Sequence, residues 1–437
     1  MSTRPLKVNI ITLGCSKNKV DSEHLAALIP NQHFKVVHDS DAEADVVIVN
    51  TCGFIADAKE ESVDTILSYA NLRKHGRIGK LLVMGCLSER YRKDLLAEIH
   101  EVDAFFGVND LKSIAGFLSD EPSNKLIEQN YHYKRQLSTP SHYAYLKISE
   151  GCNRKCSFCA IPLIRGRHRS VPASDLLRES TYLAQSGVKE LILIAQDTTS
   201  YGLDHDRKRE LPNLMRQLSS IEGIEWIRLQ YAFPSGFPMQ ILNVMAELPN
   251  VCRYIDLPLQ HISDRMLNAM KRGLGQQKTL QLIDEIRTRV PGIAFRTTLI
   301  TGFPGETDSD FQMLADFVRE QKFDRLGVFA YSPEEGTSAF RLGNPVPESV
   351  KQERLEHLME IQQDISLELN RQKVGKQFKV LIDREESEFF VGRTEFDSPE
   401  VDNEVLVSKN HKEILIGNFY PIRILSAGEF DLFGEPL

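Results

Sequence analysis

The sequence predicts an α/β protein in three parts: an N-terminal doubly wound parallel sheet, a central partial barrel of the TIM-like type, and a small C-terminal antiparallel β-barrel. Through the first two parts, apolar runs of strand length alternate with segments of helical spacing, which is the pattern of parallel strands connected by helices. The central part contains six such strand–helix units, too few to close an eight-unit barrel. Towards the end of the chain, short β segments separated by turns replace this alternation and favour a small barrel.

Length and composition restrict the class of protein. The 437 residues predict about three domains. A net charge of −8 argues against a chain that binds nucleic acid along its whole length. No apolar stretch approaches the roughly 20 residues that span a bilayer, and the first residues lack the apolar core of a signal peptide. We therefore expect a cytoplasmic protein without membrane contact, whose seven cysteines are reduced thiols.

The N-terminal part alternates strands and helices. Residues 8–13, 46–49 and 81–84 are predicted strands, since each is a short apolar run. Residues 21–28 and 59–72 lie between them and have helical spacing. This order predicts a parallel sheet with helices on both faces.

A cysteine follows each of these three strands within two or three residues: Cys15, Cys52 and Cys86. The carboxyl ends of parallel strands share one edge, where such folds bind ligands, so we expect the three thiols to converge. The alternative is three buried structural cysteines, which is a common fate of this residue. Their shared topological position favours a common site, an iron–sulfur cluster with three protein ligands.

The polar segment 120–137 is predicted to be a linker, with Lys134 and Arg135 on its solvated surface. The alternating pattern then resumes. The six predicted strands of the central part are residues 144–148, 191–195, 226–229, 252–256, 294–300 and 325–330. Binding and catalytic groups are expected at the carboxyl edge of these strands.

Three further cysteines stand in C-x3-C-x2-C spacing on the loop after the first central strand: Cys152, Cys156 and Cys159. Three thiolates can hold three irons of a cubane cluster and leave the fourth iron open to a small chelating molecule. The alternative is a structural zinc knuckle, which usually closes with four ligands. His168 lies nine residues on, in a basic loop, and no Cys or His follows at zinc spacing. The motif therefore favours an iron–sulfur cluster.

The C-x3-C-x2-C motif resembles that of the radical S-adenosylmethionine (SAM) enzymes, in which SAM occupies the open iron. With residues 12–23 around Cys15, the chain is similar over essentially its whole length to the methylthiotransferases of this class. The resemblance implies two [4Fe-4S] clusters, with SAM as both cofactor and co-substrate. It also implies the domain bounds: an N-terminal methylthiotransferase domain with an auxiliary cluster at 6–119, the linker at 120–137, a radical SAM core at 138–369 and a TRAM domain at 371–437.

By the same resemblance, residues at the carboxyl edge of the central barrel contact SAM. The expected residues are Phe158, Gln196, Ser235, Gln260, Gly302 and Tyr331. A polar residue at a strand end is also an ordinary cap or turn residue. The basic run 165–169 either steers an acidic ligand or forms a solvated loop, and the second interpretation is favoured. Cys252 begins an apolar strand and is predicted to be buried and inert.

The C-terminal part begins with a long helix. Residues 350–374 have amphipathic helical spacing, and Gly375 is a stop signal. Short β segments follow at residues 378–382, 388–392, 405–407 and 420–425.

The charge of this C-terminal part bears on its partner. Residues 371–437 contain nine Lys or Arg and thirteen Asp or Glu. An acidic barrel argues against binding of a phosphate backbone and favours a basic protein partner. The alternative is a local basic patch formed by Lys373, Lys376 and Lys379.

Within the family that the chain resembles, one group modifies an adenosine in transfer RNA and another modifies an aspartate of the small-subunit ribosomal protein S-twelve. Residues 15–18, 256–261 and 331–337 resemble the second group. Residues 169–172 depart from the pattern, since another arginine is expected before the proline; this concerns local contacts and not the class. We therefore expect ribosomal protein S-twelve as the substrate and an electron donor such as a flavodoxin or ferredoxin, and we do not expect nucleic acid as the substrate.

The expected reaction transfers a methylthio group to the β-carbon of an aspartate. That carbon has no proton that a base removes at neutral pH, so a cofactor must generate a radical. The resemblance assigns the reduction of SAM to the cluster of the C-x3-C-x2-C cysteines and the sulfur to the cluster of the N-terminal cysteines. No catalytic residue beyond the cluster ligands is expected. Two alternatives remain: a transfer RNA methylthiotransferase, which needs a basic groove on the C-terminal barrel, and a non-catalytic iron–sulfur or zinc protein that binds the ribosome.

Overall fold

The structure is a computed structural model that describes residues 4–119, 133–205, 207–410 and 414–437. The chain divides into two compact units that alternate along the sequence. The first comprises Met1–Thr139, Tyr145–Asn153 and Ala160–Tyr182, and the second comprises Pro140–Ala144, Arg154–Cys159 and Leu183–Leu437.

The first unit contains a parallel sheet with helices on both faces. Its strands are β1 (Leu6–Thr12), β2 (Phe34–His38), β3 (Val46–Thr51), β4 (Lys80–Gly85) and β5 (Ala104–Phe105). Its helices include α1 (Ser16–Leu28), α2 (Ala56–Lys74), α3 (Cys86–Glu98) and α4 (Leu111–Ser119). The strand order is β2-β1-β3-β4-β5, so the chain direction across the sheet reverses between β1 and β3. The predicted doubly wound sheet is therefore confirmed, and β2 and β5 add two strands that the apolar pattern did not reveal.

The two faces of this sheet are covered by different helices. On one face, Leu25 of α1 and Ile114 of α4 pack against apolar side chains of β1, β3 and β4. On the other face, Ile66 of α2 and Leu95 of α3 pack against alternate side chains of β3 and β4. Strands buried on both faces read as continuous apolar runs, which is why β1, β3 and β4 were recognisable in the sequence.

The first unit also contains segments that follow the predicted linker. They include β7 (Ser149–Glu150), α5 (Ile161–Ile164) and β8 (Arg169–Ser170). The linker itself, at residues 120–137, lies largely outside the described residues. Arg135 is described, and the prediction that it is a solvated residue is wrong. Its guanidinium is buried and bonds to Glu23 at 2.7 Å and Glu179 at 2.7 Å.

The second unit is built around an open parallel sheet. The strands of this sheet are β6 (Tyr143–Lys147), β9 (Glu190–Ile194), β10 (Trp226–Leu229), β11 (Val251–Asp256), β12 (Ala294–Thr301) and β13 (Arg325–Ala330). They are ordered β13-β12-β11-β10-β9-β6, each beside its neighbour in the series. Only the first two residues of β6 belong to this unit. The sheet ends at β6 and β13 without closing, as the predicted partial barrel requires.

Helices connect these strands. They are α6 (Ala173–Gln185), of which only the last three residues belong to this unit, α7 (Leu211–Ser219), α8 (Gln240–Glu247), α9 (Asp264–Ala269), α10 (Gln276–Arg289) and α11 (Asp308–Gln321), and α12 (Glu348–Arg371) follows the last strand. The N-terminus of α11 is fixed by a capping box between Thr307 and Asp310. The long helix predicted from the amphipathic pattern is α12, which ends four residues before Gly375.

The C-terminal part of the second unit is a closed barrel. Its strands are β14 (Gln377–Glu386), β15 (Phe389–Arg393), β16 (Glu404–Ser408), β17 (Phe419–Ala427) and β18 (Asp431–Pro436). They close in the order β14-β15-β16-β18-β17, with antiparallel pairing except between β16 and β18, which are parallel. The predicted small barrel is confirmed, and β18 is the strand that the sequence pattern missed.

This barrel packs against the amino ends of the central strands. Trp226 at the start of β10 contacts Phe419 edge-to-face, with ring centroids 4.7 Å apart. Leu381 of β14 lies in the same apolar cluster as Trp226, Cys252 and Ala294, each within two residues of the start of its strand. At these positions the barrel covers the amino ends of the central strands.

Several acidic groups of the barrel are internal. Asp397 pairs with Arg325, and Asp402 accepts a hydrogen bond from Tyr254 at 2.8 Å and lies 3.3 Å from Arg296. These carboxylates neutralise buried arginines of the central strands rather than facing a partner. Part of the negative charge of residues 371–437 is therefore internal, and the inference of a basic partner from that charge stays a prediction.

Among the helices of the described residues, none combines the length and the apolar character that crossing a bilayer requires.

Candidate functional site

The three N-terminal cysteines lie together at the carboxyl edge of the first unit's sheet. Cys15 directly precedes α1, Cys52 directly follows β3, and Cys86 is the first residue of α3. The strand register pairs Thr51 with Gly85, so Cys52 and Cys86 continue two neighbouring strands in step. The edge lies where the strand order reverses, which is the position at which doubly wound sheets bind ligands.

Close backbone packing brings the Cys15 loop against Cys52. Gly14 has a φ of +87°, and a Cβ added there would lie 2.9 Å from the Cys52 sulfur. On the other side, the hydroxyl of Ser62 in α2 accepts from the Cys52 N–H at 3.0 Å. The structure therefore brings the Cys15 and Cys52 loops together at this edge, as the strand topology predicts.

Asn18 connects all three cysteine loops. Its Nδ2 donates to the Leu13 carbonyl at 2.8 Å and to the Thr51 carbonyl at 3.1 Å. These two carbonyls lie two residues before Cys15 and one residue before Cys52. The Cys86 thiol lies 3.8 Å from Asn18 Oδ1. One buried amide thus fixes the spacing of the three thiols, a role that the sequence pattern did not assign to it.

Cys86 is the most buried of the three. Burial raises the pKa of its thiol to about 11, and the cation of Arg165 opposes that rise. Arg165 Nη2 lies 3.3 Å from the Cys86 sulfur. Arg165 is itself buried, so the prediction of a solvated loop over residues 165–169 is wrong at this position.

The C-x3-C-x2-C loop is held by backbone hydrogen bonds in both units. In the first unit, the Cys152 N–H donates to the Gly166 carbonyl at 3.1 Å. In the second unit, the Ser157 N–H donates to the Met270 carbonyl at 3.0 Å, and the Cys159 N–H donates to the Cys156 carbonyl at 3.2 Å. Each part of the loop is therefore tied by hydrogen bonds to its own unit.

A second buried arginine contacts this loop. Arg272 Nη1 lies 3.3 Å from the Cys156 sulfur, and its Nη2 donates to the Pro258 carbonyl at 2.5 Å. Its guanidinium stacks on Phe233 at 4.3 Å from the ring centroid, and the Arg154 guanidinium lies on the same ring at 4.0 Å. No motif in the sequence pointed to Arg272, which follows α9 in a loop.

Arg154 also orders the loop after β9. Its Nε donates to Asp197 at 2.7 Å. Burial opposes ionisation of Asp197, but the Arg154 cation and the hydroxyls of Ser200 and Thr199 outweigh it and hold the carboxyl pKa below its usual value. Gln196, one of the predicted SAM contacts, directly precedes this anchored carboxylate and is half-buried.

Two of the predicted SAM contacts share one apolar cluster. Phe158 packs against a cluster that contains Phe303 and Tyr331. The rings of Phe303 and Tyr331 lie edge-to-face, with their centroids 5.2 Å apart. The Tyr331 hydroxyl is buried and has no hydrogen-bond partner among the described residues. The side-chain oxygen of Gln260 is likewise buried without a described partner, on a backbone with a φ of +74°. Such orphaned polar atoms at a strand edge fit a site that a polar ligand completes.

The turn at Gly302 is rigid. Its φ is +70°, and a Cβ there would lie 2.2 Å from Cγ of Lys351, so the position requires glycine. The Gly302 N–H donates to Glu306 Oε2 at 2.5 Å, and Arg354 of α12 donates to the same oxygen at 2.7 Å. His261 Nδ1 accepts backbone N–H groups at 2.9 and 3.0 Å, so its Nε2 donates to Glu306 Oε1 at 3.1 Å.

Ser235, the remaining predicted SAM contact, follows β10 in a more open position. Its hydroxyl donates to the Gly273 carbonyl at 3.4 Å, beside the Arg272 segment. Cys252, in contrast, is fully buried in β11 at the barrel contact, and burial raises its pKa to about 12. It packs with Trp226 and Leu381 in the apolar cluster at the barrel contact, as expected of an inert structural thiol.

The donor set, soft thiols in groups of three, fits an iron–sulfur cluster. All six loop cysteines are free thiols. Within the described ranges, no three His, Cys, Asp or Glu side chains stand close enough to hold one metal ion together. In a cubane cluster each thiolate binds a different iron, so its ligands are spread around a larger body.

Three protein-family descriptions match the chain. They are Uncharacterized protein family UPF0004 over residues 7–107, Radical SAM superfamily over residues 146–318, and TRAM domain over residues 374–437.

Curated relatives match over the full length. "Ribosomal protein uS12 methylthiotransferase RimO" of Cytophaga hutchinsonii is 54% identical over 430 residues, 98% of this chain and 97% of that protein. The protein of the same name from Flavobacterium johnsoniae is 52% identical over 437 residues, 100% of this chain and 99% of its own. Among solved structures, the radical SAM methyltransferase TsrM from Kitasatospora setae, bound to tryptophan and a SAM analogue, matches with a TM-score of 0.55. It is 14% identical and the match covers 87% of this chain and 79% of TsrM, which is a likeness of fold.

These matches confirm the resemblance drawn from the cysteine motifs, together with the expectation of an enzyme that uses an iron–sulfur cluster and SAM. With about half of all residues identical over its full length, the chain belongs to the family of ribosomal protein uS12 methylthiotransferases, which are radical SAM enzymes.

Proposed function

We propose that the chain transfers a methylthio group to the β-carbon of an aspartate in ribosomal protein uS12. The observation that carries this proposal is the full-length identity to relatives that are named for that activity. A ribosomal protein as substrate agrees with action in the cytoplasm. The electron would come from a small redox protein such as a flavodoxin or ferredoxin.

Two [4Fe-4S] clusters are part of the proposal. Cys15, Cys52 and Cys86 would hold an auxiliary cluster at the carboxyl edge of the first unit's sheet. The aligned strand ends and the amide of Asn18 support this assignment, since they gather three soft thiol donors at one sheet edge. When bound, the clusters and SAM supply the radical and sulfur chemistry that an unactivated carbon requires.

The second cluster would be held by the C-x3-C-x2-C loop, at Cys152, Cys156 and Cys159. The hydrogen bonds of Ser157 and the contact of Arg272 with the Cys156 sulfur support this assignment, since they fix the loop before any ligand binds. A preorganised loop reduces the ordering cost of cluster and SAM binding.

The SAM contacts are proposed on the carboxyl edge of the central sheet. The Tyr331 hydroxyl would donate a hydrogen bond to SAM and the side-chain oxygen of Gln260 would accept one from it, because these buried polar atoms have no described partner. Gly302 would let the ligand approach the backbone closely, and Glu306 holds that turn in place. Phe158 would pack beside the cluster, while Gln196 and Ser235 would contact the polar parts of SAM.

The experiment that tests the function is an anaerobic reaction of the iron–sulfide-reconstituted protein with SAM, a reductant and recombinant uS12. Intact-mass and peptide mass spectrometry would then show a methylthio gain on one aspartate. Formation of 5′-deoxyadenosine with unmodified uS12 would keep the radical enzyme and refute the substrate. Transfer RNA would be the next substrate tested in that case.

Single substitutions assign the clusters. Cys156→Ala should abolish 5′-deoxyadenosine formation, while Cys52→Ala should keep that cleavage and lose methylthio transfer. Each should lose about half of the bound iron and sulfide, because each removes a ligand of one cluster. Cys252→Ala is the matched control. It should keep its iron and sulfide and both activities, since the Cys252 thiol is buried at the barrel contact. A Cys52→Ala protein that still methylthiolates uS12 would refute the auxiliary cluster.

A further inference from the structure

A compact group of buried charges surrounds Arg165 in the first unit. Arg165 Nη1 donates to Asp21 at 2.7 Å and to Glu150 at 3.2 Å, and its Nη2 donates to Asn18 Oδ1 at 2.6 Å. Lys147 pairs with the same two carboxylates. Two cations and two anions thus balance one another, with the Arg165 side chain only 2% exposed.

Burial of such a group is costly. The desolvation of charged side chains offsets most of their mutual attraction, so a buried ion network is weak as a source of stability. What the network does achieve is a fixed guanidinium. The two carboxylates and Asn18 hold its planar fork in a single orientation, with Nη2 at 3.3 Å from the Cys86 sulfur.

We propose that Arg165 is a positioning residue that donates a hydrogen bond to the Cys86 sulfur and raises the reduction potential of the cluster held by Cys15, Cys52 and Cys86. This inference rests on the proposed auxiliary cluster. N–H groups and positive charge directed at a ligand sulfur favour the reduced, more negative state of an iron–sulfur cluster. Lys147, Asp21 and Glu150 would act through Arg165 by fixing its orientation.

A purely structural role for Arg165 is the competing explanation. The neighbouring Gly166 carbonyl accepts the Cys152 N–H, so the loop that carries Arg165 also supports a second cysteine. Loss of the side chain could therefore disturb folding without any effect on a potential. The chain offers a matched control in Arg135, a buried arginine of the same unit that is bonded to Glu23, Glu179 and the Tyr145 carbonyl.

The test uses the full chain with Cys152, Cys156 and Cys159 replaced by alanine, so that only the auxiliary cluster remains. In this background, Arg165→Gln, Arg165→Lys and Arg135→Gln are reconstituted anaerobically. The midpoint potential of each is measured by redox titration followed by electron paramagnetic resonance. Iron content and circular dichroism report assembly and folding separately from the potential.

We expect Arg165→Gln to lower the potential. At a fixed applied potential, the ratio of reduced to oxidised cluster should fall about tenfold, which is ~59 mV for a one-electron couple. Arg165→Lys keeps the positive charge but loses the planar guanidinium, so the potential of its cluster should lie between those of the unsubstituted background protein and Arg165→Gln. Arg135→Gln should lose stability and leave the potential unchanged.

An unchanged potential in Arg165→Gln with a full cluster would overturn the inference, and so would an equal shift in Arg135→Gln. If the cluster fails to assemble in both Arg165 variants while their circular dichroism is normal, Arg165 is needed for assembly and the tuning role is wrong. A background protein that binds no cluster would instead refute the proposed auxiliary site itself.

Discussion

Asn18→Leu tests whether one amide holds the three N-terminal cysteine loops together. Leucine has nearly the shape of asparagine, so the change removes polar contacts without opening a large cavity. It removes donation to the Leu13 carbonyl at 2.8 Å and to the Thr51 carbonyl at 3.1 Å. It also leaves Arg165 without the acceptor that lies 2.6 Å from its Nη2.

The magnitude follows from these three bonds. Each neutral bond contributes ~1 kcal/mol and a bond to a charged group ~1.5–3 kcal/mol, so Asn18→Leu should cost about 3.5–5 kcal/mol. Urea unfolding of the iron-free protein, followed by circular dichroism, measures this loss. Hydrogen exchange localises it, since peptides of β1, β3 and β4 should lose protection while those of the C-terminal barrel should not. The iron content after reconstitution should fall with it.

The control is Asn71→Leu, an exposed asparagine of α2 in the same unit. A surface change of this kind should alter stability by no more than ~0.5 kcal/mol. If Asn18→Leu costs less than about 1 kcal/mol, or if the lost protection lies outside the three cysteine loops and their strands, Asn18 does not fix the spacing of the thiols.

Three further substitutions test the central sheet and the barrel contact. Tyr331→Phe removes a buried hydroxyl without a described partner, so the protein without SAM should become more stable by up to ~1 kcal/mol. The same variant should bind SAM about tenfold more weakly, as measured by equilibrium dialysis. Gly302→Ala places a Cβ 2.2 Å from the Lys351 side chain at a left-handed φ, and should cost ~1–3 kcal/mol by thermal unfolding and weaken SAM binding further. Arg325→Gln leaves the buried carboxylate of Asp397 unpaired and should cost ~3–5 kcal/mol, with unchanged iron content. Equal SAM affinity in Tyr331→Phe, or a loss of iron in Arg325→Gln, would contradict these assignments.

In the first unit, the strands that the sequence revealed are those buried on both faces. β3 is buried at all six positions and was visible as an apolar run. β2 lies at the sheet edge with an exposed Lys35, and β5 has only two residues, so neither produced a recognisable pattern. β18 was missed because a glycine and a proline interrupt a short polar strand at the end of the chain.

The cysteines of the site were predictable and their polar surroundings were not. Topology alone placed Cys15, Cys52 and Cys86 at one edge, because parallel strands of one sheet end together. Arg165 was misread because charge in a sequence is normally a sign of solvent exposure. Its burial depends on Asp21, 144 residues away, and no local pattern contains that pairing.

The two cysteine groups share one further feature, a buried guanidinium 3.3 Å from one sulfur. The counter-charges differ. Arg165 bonds to the carboxylates of Asp21 and Glu150, whereas the described partners of Arg272 are a backbone carbonyl, a phenyl ring and the Cys156 sulfur. A cation without a paired carboxylate exerts the stronger field on its neighbour. In a protein that lacks the N-terminal cysteines, Arg272→Gln should therefore lower the potential of the cluster proposed at the C-x3-C-x2-C loop by more than Arg165→Gln lowers that of the proposed auxiliary cluster. Titration of both single-cluster proteins without SAM measures the two shifts. Equal shifts would mean that the hydrogen bond, rather than the charge, sets the effect, and a smaller shift for Arg272→Gln would refute the argument from the field.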